Sequence, residues 1–366
     1  MLPPDSAGIM MAFAPFVNKK AAMTDHTSSP ARSDATTRTA PTSPLQRTWV
    51  IAVLAGIACF LWGSAFPSIK IGYALFGIQS SQVASEILFA GCRFVLAGVI
   101  ALVFGSIVNR RAVLPRASSW KMVVMLALFQ TVLQYVFYYI GVSHASGVKS
   151  GIINSLNTFF AIMLSSLVFK QEKLTARKLV GCALGIAGVV AINLTGKGLG
   201  PGLHWNGEGF VAIAAFSYAM SSALIHRYSQ LEDPVALSGS QFITGGLAMV
   251  VGGLACGGTL PHVTGEGLAM LVYLGFISGI AYSLWSMLLK YNPVSRVAVF
   301  GFMNPIFGVA LAAVLLGEAG QVPLWQCVLA LVLVCAGIIV VNRVPAAAAS
   351  EPVEALKSRK PNSTSH

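Results

Sequence analysis

Apolar residues run in ten blocks along this chain, at roughly 50–69, 88–108, 120–140, 147–169, 178–195, 208–228, 235–256, 267–290, 296–316 and 323–342. Each is close to the ~20 residues that a helix needs to cross the ~30 Å hydrocarbon core of a bilayer. The short alternating segments of a membrane β-barrel, about ten residues each, are absent. The pattern predicts an all-α polytopic membrane protein with ten transmembrane helices. Little chain is left over for a soluble domain.

The ten blocks are one unit of five, written twice. Arg93-Phe94-Val95-Leu96-Ala97-Gly98 is answered by Gln241-Phe242-Ile243-Thr244-Gly245-Gly246. Tyr135 falls on Tyr282, Asn157 on Asn304, and Ala187-Gly188 with Asn193 on Ala336-Gly337 with Asn342. The division is a first repeat over 49–195 and a second over 196–343. Because five is odd, the second copy must enter the bilayer upside down. Inverted repeats characterise secondary transporters, whose substrate site lies between the halves.

Composition and charge sharpen this. Of 366 residues, 55% are hydrophobic and 10% charged, far below the ~25% charge of soluble domains. The net charge of +12 is placed by topology, which argues against a nucleic-acid role. With the N-terminus inside, twenty Lys and Arg fall on the inner side and three (Lys70, Lys149, Lys197) on the outer. The positive-inside rule then puts both termini in the cytoplasm of a plasma or inner membrane. Residues 1–48 are rich in Ser, Thr, Pro and Ala without hydrophobic period, so they read as a disordered tail, and 344–366 as a second one. An organellar transit peptide is the alternative for the first tail. The six cysteines sit in apolar blocks without metal-type or paired spacing and read as packing residues. Gly181, Gly185 and Gly188 give the fifth block a small-residue face. Packing within the chain is the first reading of that face, and a homodimer contact the second.

Polar groups inside a span are costly and mark function by default. Arg93 is the one strong charge within a block. A structural arginine, snorkelling to the interface or paired with Glu86, stands beside a cation that attracts carboxylate-bearing solutes. A second group gathers on the third and fourth blocks: Gln130, Gln134, Tyr135, Tyr138, Tyr139, Asn154 and Asn157. Gln130, Gln134 and Tyr138 fall four apart on one face, which suits a ligand-lined surface better than interhelical glue. Ser278, Tyr282, Trp285, Ser286 and Asn304 match them in the second half, and Trp62, Ser64, Tyr218 and Gln241 join from other helices. Aromatic and amide groups with few charges suit a partly apolar, neutral or zwitterionic solute. Pro67 and Pro305 each remove a backbone donor and loosen or kink a helix, and the carbonyls they free need protein or water partners.

Several chemistries have no machinery here. No Asp, Glu or His falls at the centre of a block, so no proton relay is displayed. No phosphate-binding loop, His-Glu-x-x-His or Gly-x-Ser-x-Gly is present, so neither a fused ATPase nor an intramembrane hydrolase is expected. No catalytic residue, cofactor or metal site is assigned.

Trp62-Gly63-Ser64-Ala65-Phe66-Pro67, Arg93-Phe94 and Leu315-Leu316-Gly317-Glu318 after Asn304-Pro305 resemble the motifs of drug/metabolite transporters of the EamA type, with two EamA domains. The first half departs where Phe169-Lys170-Gln171-Glu172 stands for the helix-ending Leu-Gly-Glu, and Thr158 stands where the proline would be. The resemblance covers about 50–343. It implies ten helices, cytoplasmic termini, and alternating access around a central cavity for small metabolites. The expectation is a secondary, non-ATP carrier of small organic solutes such as amino acids, moving them outward by rocking one half on the other. A non-transporting membrane scaffold or sensor is the alternative.

Overall fold

A computed structural model describes residues 43–79, 82–145, 147–193, 204–315 and 323–343. Most of the first expected tail, all of the second, Lys197 and Leu316-Gly317-Glu318 lie outside the described residues. The described chain is helical throughout. We number the helices α1 (Thr48–Phe76), α2 (Val83–Asn109), α3 (Ala117–His144), α4 (Lys149–Val168), α5 (Ala176–Asn193), α6 (Trp205–Tyr228), α7 (Pro234–Ala255), α8 (Gly265–Tyr291), α9 (Val294–Leu315) and α10 (Leu324–Asn342). Nine of these helices among the described residues are long and apolar enough to cross a membrane. The remaining one, α5, has 18 residues, about 27 Å at 1.5 Å per residue, and packs lengthwise on α10.

Local sequence sets several helix ends. Asp233 caps α7 by accepting from the Val235 and Ala236 amides at 2.9 and 3.1 Å, with Pro234 at the first helical position. Thr264 caps α8 through the Gly267 amide at 3.1 Å. Helix α1 runs past the expected end at 69 to Phe76, because Ile69, Ile71, Ala74, Leu75 and Phe76 keep it apolar until Gly77 turns left-handed at φ 69°. Lys70, expected in a loop, therefore lies inside a helix. Before α1, Pro44–Gln46 forms a 3₁₀ turn whose buried Leu45 offers its carbonyl to Asn292 at 2.9 Å.

The inversion is visible in two glycine seams. In α2 and α7, a Cβ on Gly91 would stand 2.9 Å from the Gly246 carbonyl oxygen, and one on Gly98 would stand 2.4 Å from that of Gly239. Gly91 and Gly239 are repeat equivalents, as are Gly98 and Gly246, so one contact becomes the other when the halves are exchanged. Early residues of α2 meet late residues of α7, which makes equivalent helices antiparallel. Helices α5 and α10 repeat the arrangement. A Cβ would come within 2.9 Å of the Gly337 oxygen from Gly181, within 2.6 Å of the Gly181 oxygen from Gly337, and within 2.9 Å of the Ala330 oxygen from Gly188. Only residues without a side chain let backbones approach this closely inside a bilayer. The small-residue face of α5 is thus covered by α10 and, at Gly185, by Phe302.

The two halves interlock. Helix α1 packs on α8 and α9 of the other half, and α6 packs on α3 and α4. Gly63 of α1 lies against Phe307 and Gly308 of α9, so the helices carrying Pro67 and Pro305 cross beside both prolines.

Candidate functional site

Repeat-equivalent aromatic rings meet in the middle of the interlocked halves. Phe94 and Phe242 stack at 5.2 Å with their planes 15° apart. Tyr135 lies 4.5 Å from Phe94, and Tyr282 lies 4.8 Å from Phe242. The two phenol oxygens hydrogen-bond at 3.1 Å. These four residues form a layer that maps onto itself when the repeats are exchanged. Offset rings of this kind gain ~0.5–1.5 kcal/mol per pair beyond their area.

Other predicted residues surround this layer. Trp62 stands edge-on to Tyr282 at 4.8 Å and to Trp285 at 5.1 Å. Tyr138 and Tyr218, half-buried, pack against the same cluster. Gln130 is buried within a π-helical stretch of α3, Ala127–Leu133. Such stretches recur at functional sites, and i→i+5 bonding shifts the face each side chain presents. It separates Gln130 from the regular α-helical turns that carry Gln134 and Tyr138. Asn157 and Asn304 are not tied to the tyrosines by hydrogen bonds. Asn157 accepts from Thr158 at 3.1 Å, and the Asn304 Oδ1 is buried without a partner.

The equivalents Arg93 and Gln241 have different surroundings. Gln241, fully buried, accepts from Thr131 at 2.8 Å. Arg93 is 2% exposed, with its guanidinium 4.5 Å from the Phe94 ring centre and 5.5 Å from that of Tyr135. It does not snorkel. No ion pair joins it to Glu86 or to any other carboxylate among the described residues. Burying a cation costs several kcal/mol even after relaxation, and cation–π contact returns about 2 kcal/mol when desolvated.

Seven of the eleven predicted binding residues carry a buried polar atom with no partner among the described residues: Trp62 Nε1, Arg93 Nε, Gln130 Oε1, Gln134 Oε1, Gln241 Nε2, Trp285 Nε1 and Asn304 Oδ1. Each such atom costs about 1–3 kcal/mol, and native interiors keep them rare. Their concentration on the predicted set is the chief chemical feature of the interior. Two surface recesses, of about 530 Å³ along Leu324, Trp325, Val328, Leu329 and Val332 and about 350 Å³ along Gln46, Arg47, Tyr291, Asn292, Pro293 and Arg296, do not include these residues. The first follows the exposed apolar face of α10, and the chemistry lies inside the bundle.

Hydroxyl and thiol donors reach backbone carbonyls close to both prolines. A 3₁₀ turn, Val299–Phe302, precedes Pro305. The Ala298 carbonyl accepts from Thr158 at 3.1 Å and the Phe300 carbonyl from Cys59 at 3.2 Å. Beside Pro67, Ser64 and Ser68 donate back to the carbonyls of Leu61 and Ser64 at 2.7 and 2.8 Å.

Charged contacts tie the halves at the helix ends. Lys149 at the start of α4 pairs with Glu208 of α6 at 2.9 Å. Beyond the other end of α4, Glu172 accepts from Ser165 at 2.6 Å, Lys178 at 2.9 Å, and the Ser295 amide and hydroxyl at 3.0 and 2.5 Å. Gln171 donates to the Ala223 carbonyl at 2.9 Å. The irregular Phe169-Lys170-Gln171-Glu172 end, with Lys170 at φ 52°, therefore delivers its carboxylate to the second repeat. In the α6–α7 loop, Glu232 accepts from Ser119 at 2.6 Å and from the Arg116 amide and guanidinium at 3.1 and 3.0 Å. Burial alone would raise its carboxyl, but these bonds and the Asp233 amide outweigh that and hold it at about 2.

Sequence reasoning missed Phe94, Phe242, Thr131 and Tyr73. Tyr73 stands 5.4 Å from Phe89 and packs against the tyrosine cluster. The signal for Phe94 and Phe242 was present, since both fall on the repeat offset.

The model of the EamA-like transporter family matches residues 49–194 and again 205–343. A protein of Salmonella typhimurium named "Probable amino-acid metabolite efflux pump" is 27% identical over 288 residues, covering 72% of this chain and 86% of its own. Its namesake in Escherichia coli is 26% identical over 287 residues, covering 73% and 87%. An uncharacterized transporter of Archaeoglobus fulgidus is 26% identical over 280 residues, covering 74% and 90%. One solved crystal structure superposes with a TM-score of 0.65 over 80% of this chain and 96% of its own, at 20% identity, a likeness of fold. Two inverted helical repeats, both matched by one family, and relatives that are transporters and not enzymes lead to one conclusion: this chain is a multi-pass membrane protein that belongs to the EamA-like transporter family.

Proposed function

We propose that this protein carries small amphipathic organic solutes, amino acids or their close relatives, outward across the plasma or inner membrane by alternating access and without ATP. The observation that carries this is the set of unpartnered buried polar atoms on Trp62, Arg93, Gln130, Gln134, Gln241, Trp285 and Asn304. A static interior has no use for them, whereas a passing solute with donors and acceptors does. Tyr138, Tyr218, Tyr282 and Asn157 complete the proposed lining. The efflux named for the Salmonella typhimurium and Escherichia coli relatives supports the direction and the solute class.

In this reading the glycine seams α2–α7 and α5–α10 hold the halves together while the helices around the tyrosine layer rearrange. Helix α4, tied at one end by Lys149–Glu208 and at the other by Glu172–Ser295, is suited to release one end at a time. Pro67 and Pro305 supply the compliance where α1 crosses α9. The twenty-to-three placement of Lys and Arg supports cytoplasmic termini, which sets the Glu172 contacts on the inner side.

The test is solute flux in vesicles bearing wild type, Gln134→Ala or Trp285→Ala. Each substitution is expected to lower flux or apparent affinity about tenfold for at least one carried solute, as loss of a good polar or aromatic contact does. Wild-type flux and affinity for every carried solute in both variants overturns the assignment.

A further inference from the structure

The first repeat has Arg93 where the second has Gln241. Building on the proposed transport function, on which the idea rests, we infer that Arg93 is the anchor for a single carboxylate on the transported solute. The solute's apolar part then lies against Trp62 and Trp285.

Four observations converge. Arg93 is 2% exposed, and its Nε has no partner among the described residues. No carboxylate pairs with it among those residues, and Glu86, two turns earlier on the same helix, is not bonded to it. Its guanidinium faces the π clouds of Phe94 and Tyr135, contacts that leave its N–H edges free for an oxygen ligand. Tyr135 also reaches the Tyr282 hydroxyl, and Tyr282 touches Trp62, which touches Trp285. One chain of contacts thus joins the cation to the unpartnered indole N–H groups.

The charge balance selects the ligand. Among the described residues, the one further cation–π contact is that of Lys290 on Tyr291, outside this cluster. One guanidinium matches one negative charge, and its planar fork fits the two oxygens of a carboxylate. A phosphate dianion would bring a second, uncompensated charge into the bilayer. At the equivalent position the second repeat carries no charge, and the Gln241 oxygen is already bonded to Thr131.

The experiment compares acids with their amides. Purified full-length protein in liposomes is given each proteinogenic amino acid and its amide, with transport of each measured directly. The variants are Arg93→Gln, which installs the residue the second repeat tolerates, and Arg93→Lys, which keeps the charge. Wild type is expected to prefer acid over amide by about tenfold or more, the discrimination that a hydrogen bond to a charged group supplies. Arg93→Gln should reduce that preference to about twofold or less while still moving the amide, and Arg93→Lys should retain part of it. Equal wild-type transport of acid and amide overturns the anchor and leaves the transport reading standing, and this holds whether or not the variants fold. An acid preference that survives in well-folded Arg93→Gln also overturns it. Wild-type liposomes that move no member of the panel overturn the transport reading, and the anchor with it.

Discussion

Tyr135 and Tyr282 occupy the same position in two repeats 147 residues apart, and their hydroxyls bond to each other at 3.1 Å. A residue that touches its own repeat equivalent lies on the pseudo-two-fold axis between the halves. Phe94 and Phe242, stacked beside them, mark the same axis. The two halves therefore meet through groups that each half supplies once.

This relationship predicts the behaviour of phenylalanine substitutions. Tyr135→Phe or Tyr282→Phe removes one hydroxyl and strands the other, so each should destabilise the protein by about 1 kcal/mol. The double substitution should cost less than the sum of the two, because the second change removes a group already stranded. Thermal melting of all four proteins in detergent checks this, and strict additivity would sink the hydroxyl bridge.

The glycine seams give a steric prediction. A valine at Gly98 would drive its Cβ to 2.4 Å from the Gly239 oxygen, so α2 and α7 would have to separate. Gly98→Val should cost about 3 kcal/mol or more, near the upper end for overpacking. The control is Gly252→Ala, where an added Cβ meets nothing within 4 Å, and stability should hold or rise slightly. Monodispersity on size exclusion and melting temperature separate the two.

Glu172 should behave as a tie between repeats. Glu172→Ala strands the Ser295 amide and leaves the Lys178 ammonium with the Lys173 carbonyl but no counter-charge, and should destabilise by about 2 kcal/mol. Glu172→Gln keeps one of the two acceptor oxygens and should cost less. Melting of the two variants beside Ser295→Ala reads the coupling, and a Glu172→Gln protein as stable as wild type would argue against a charge-assisted contact.

Glu232 sets an acid limit. Its carboxyl is held at about 2, below the ordinary 4.5. A depressed carboxyl contributes stability that is fully present above the unfolded value and is lost as pH falls toward the folded one. The melting difference between wild type and Glu232→Gln should thus be constant above about pH 5 and shrink as pH falls from about 4.5 toward about 2. A difference that grows on acidification would contradict the hydrogen-bonding account.

Much of the fold could be read in advance, for a local reason. Whether a segment enters a bilayer depends on its own composition, so the apolar blocks mapped onto helices and only their ends moved, as when α1 ran on past Lys70 to Phe76. Candidate residues were legible by type, because Arg93, Gln130 or Trp285 in an apolar block is conspicuous wherever it points. Their company was less legible. The π-helical stretch at Ala127–Leu133 broke the simple four-residue spacing of Gln130, Gln134 and Tyr138. Phe94 and Phe242 looked like ordinary lipid-compatible residues until they stacked on each other.

By itself, the sequence determined an all-helical membrane chain, duplicated and inverted, because hydrophobicity and an odd number of spans settle those points without any long-range contact. Only the tertiary structure decided which buried polar groups are satisfied. Gln241 finds Thr131, 110 positions away, while Arg93 finds no carboxylate among the described residues and Trp62, Gln134 and Trp285 keep unpartnered atoms. Hydrogen bonding is short-ranged and directional, so partnership is fixed where helices from opposite ends of the chain cross, and no reading along the chain could supply it.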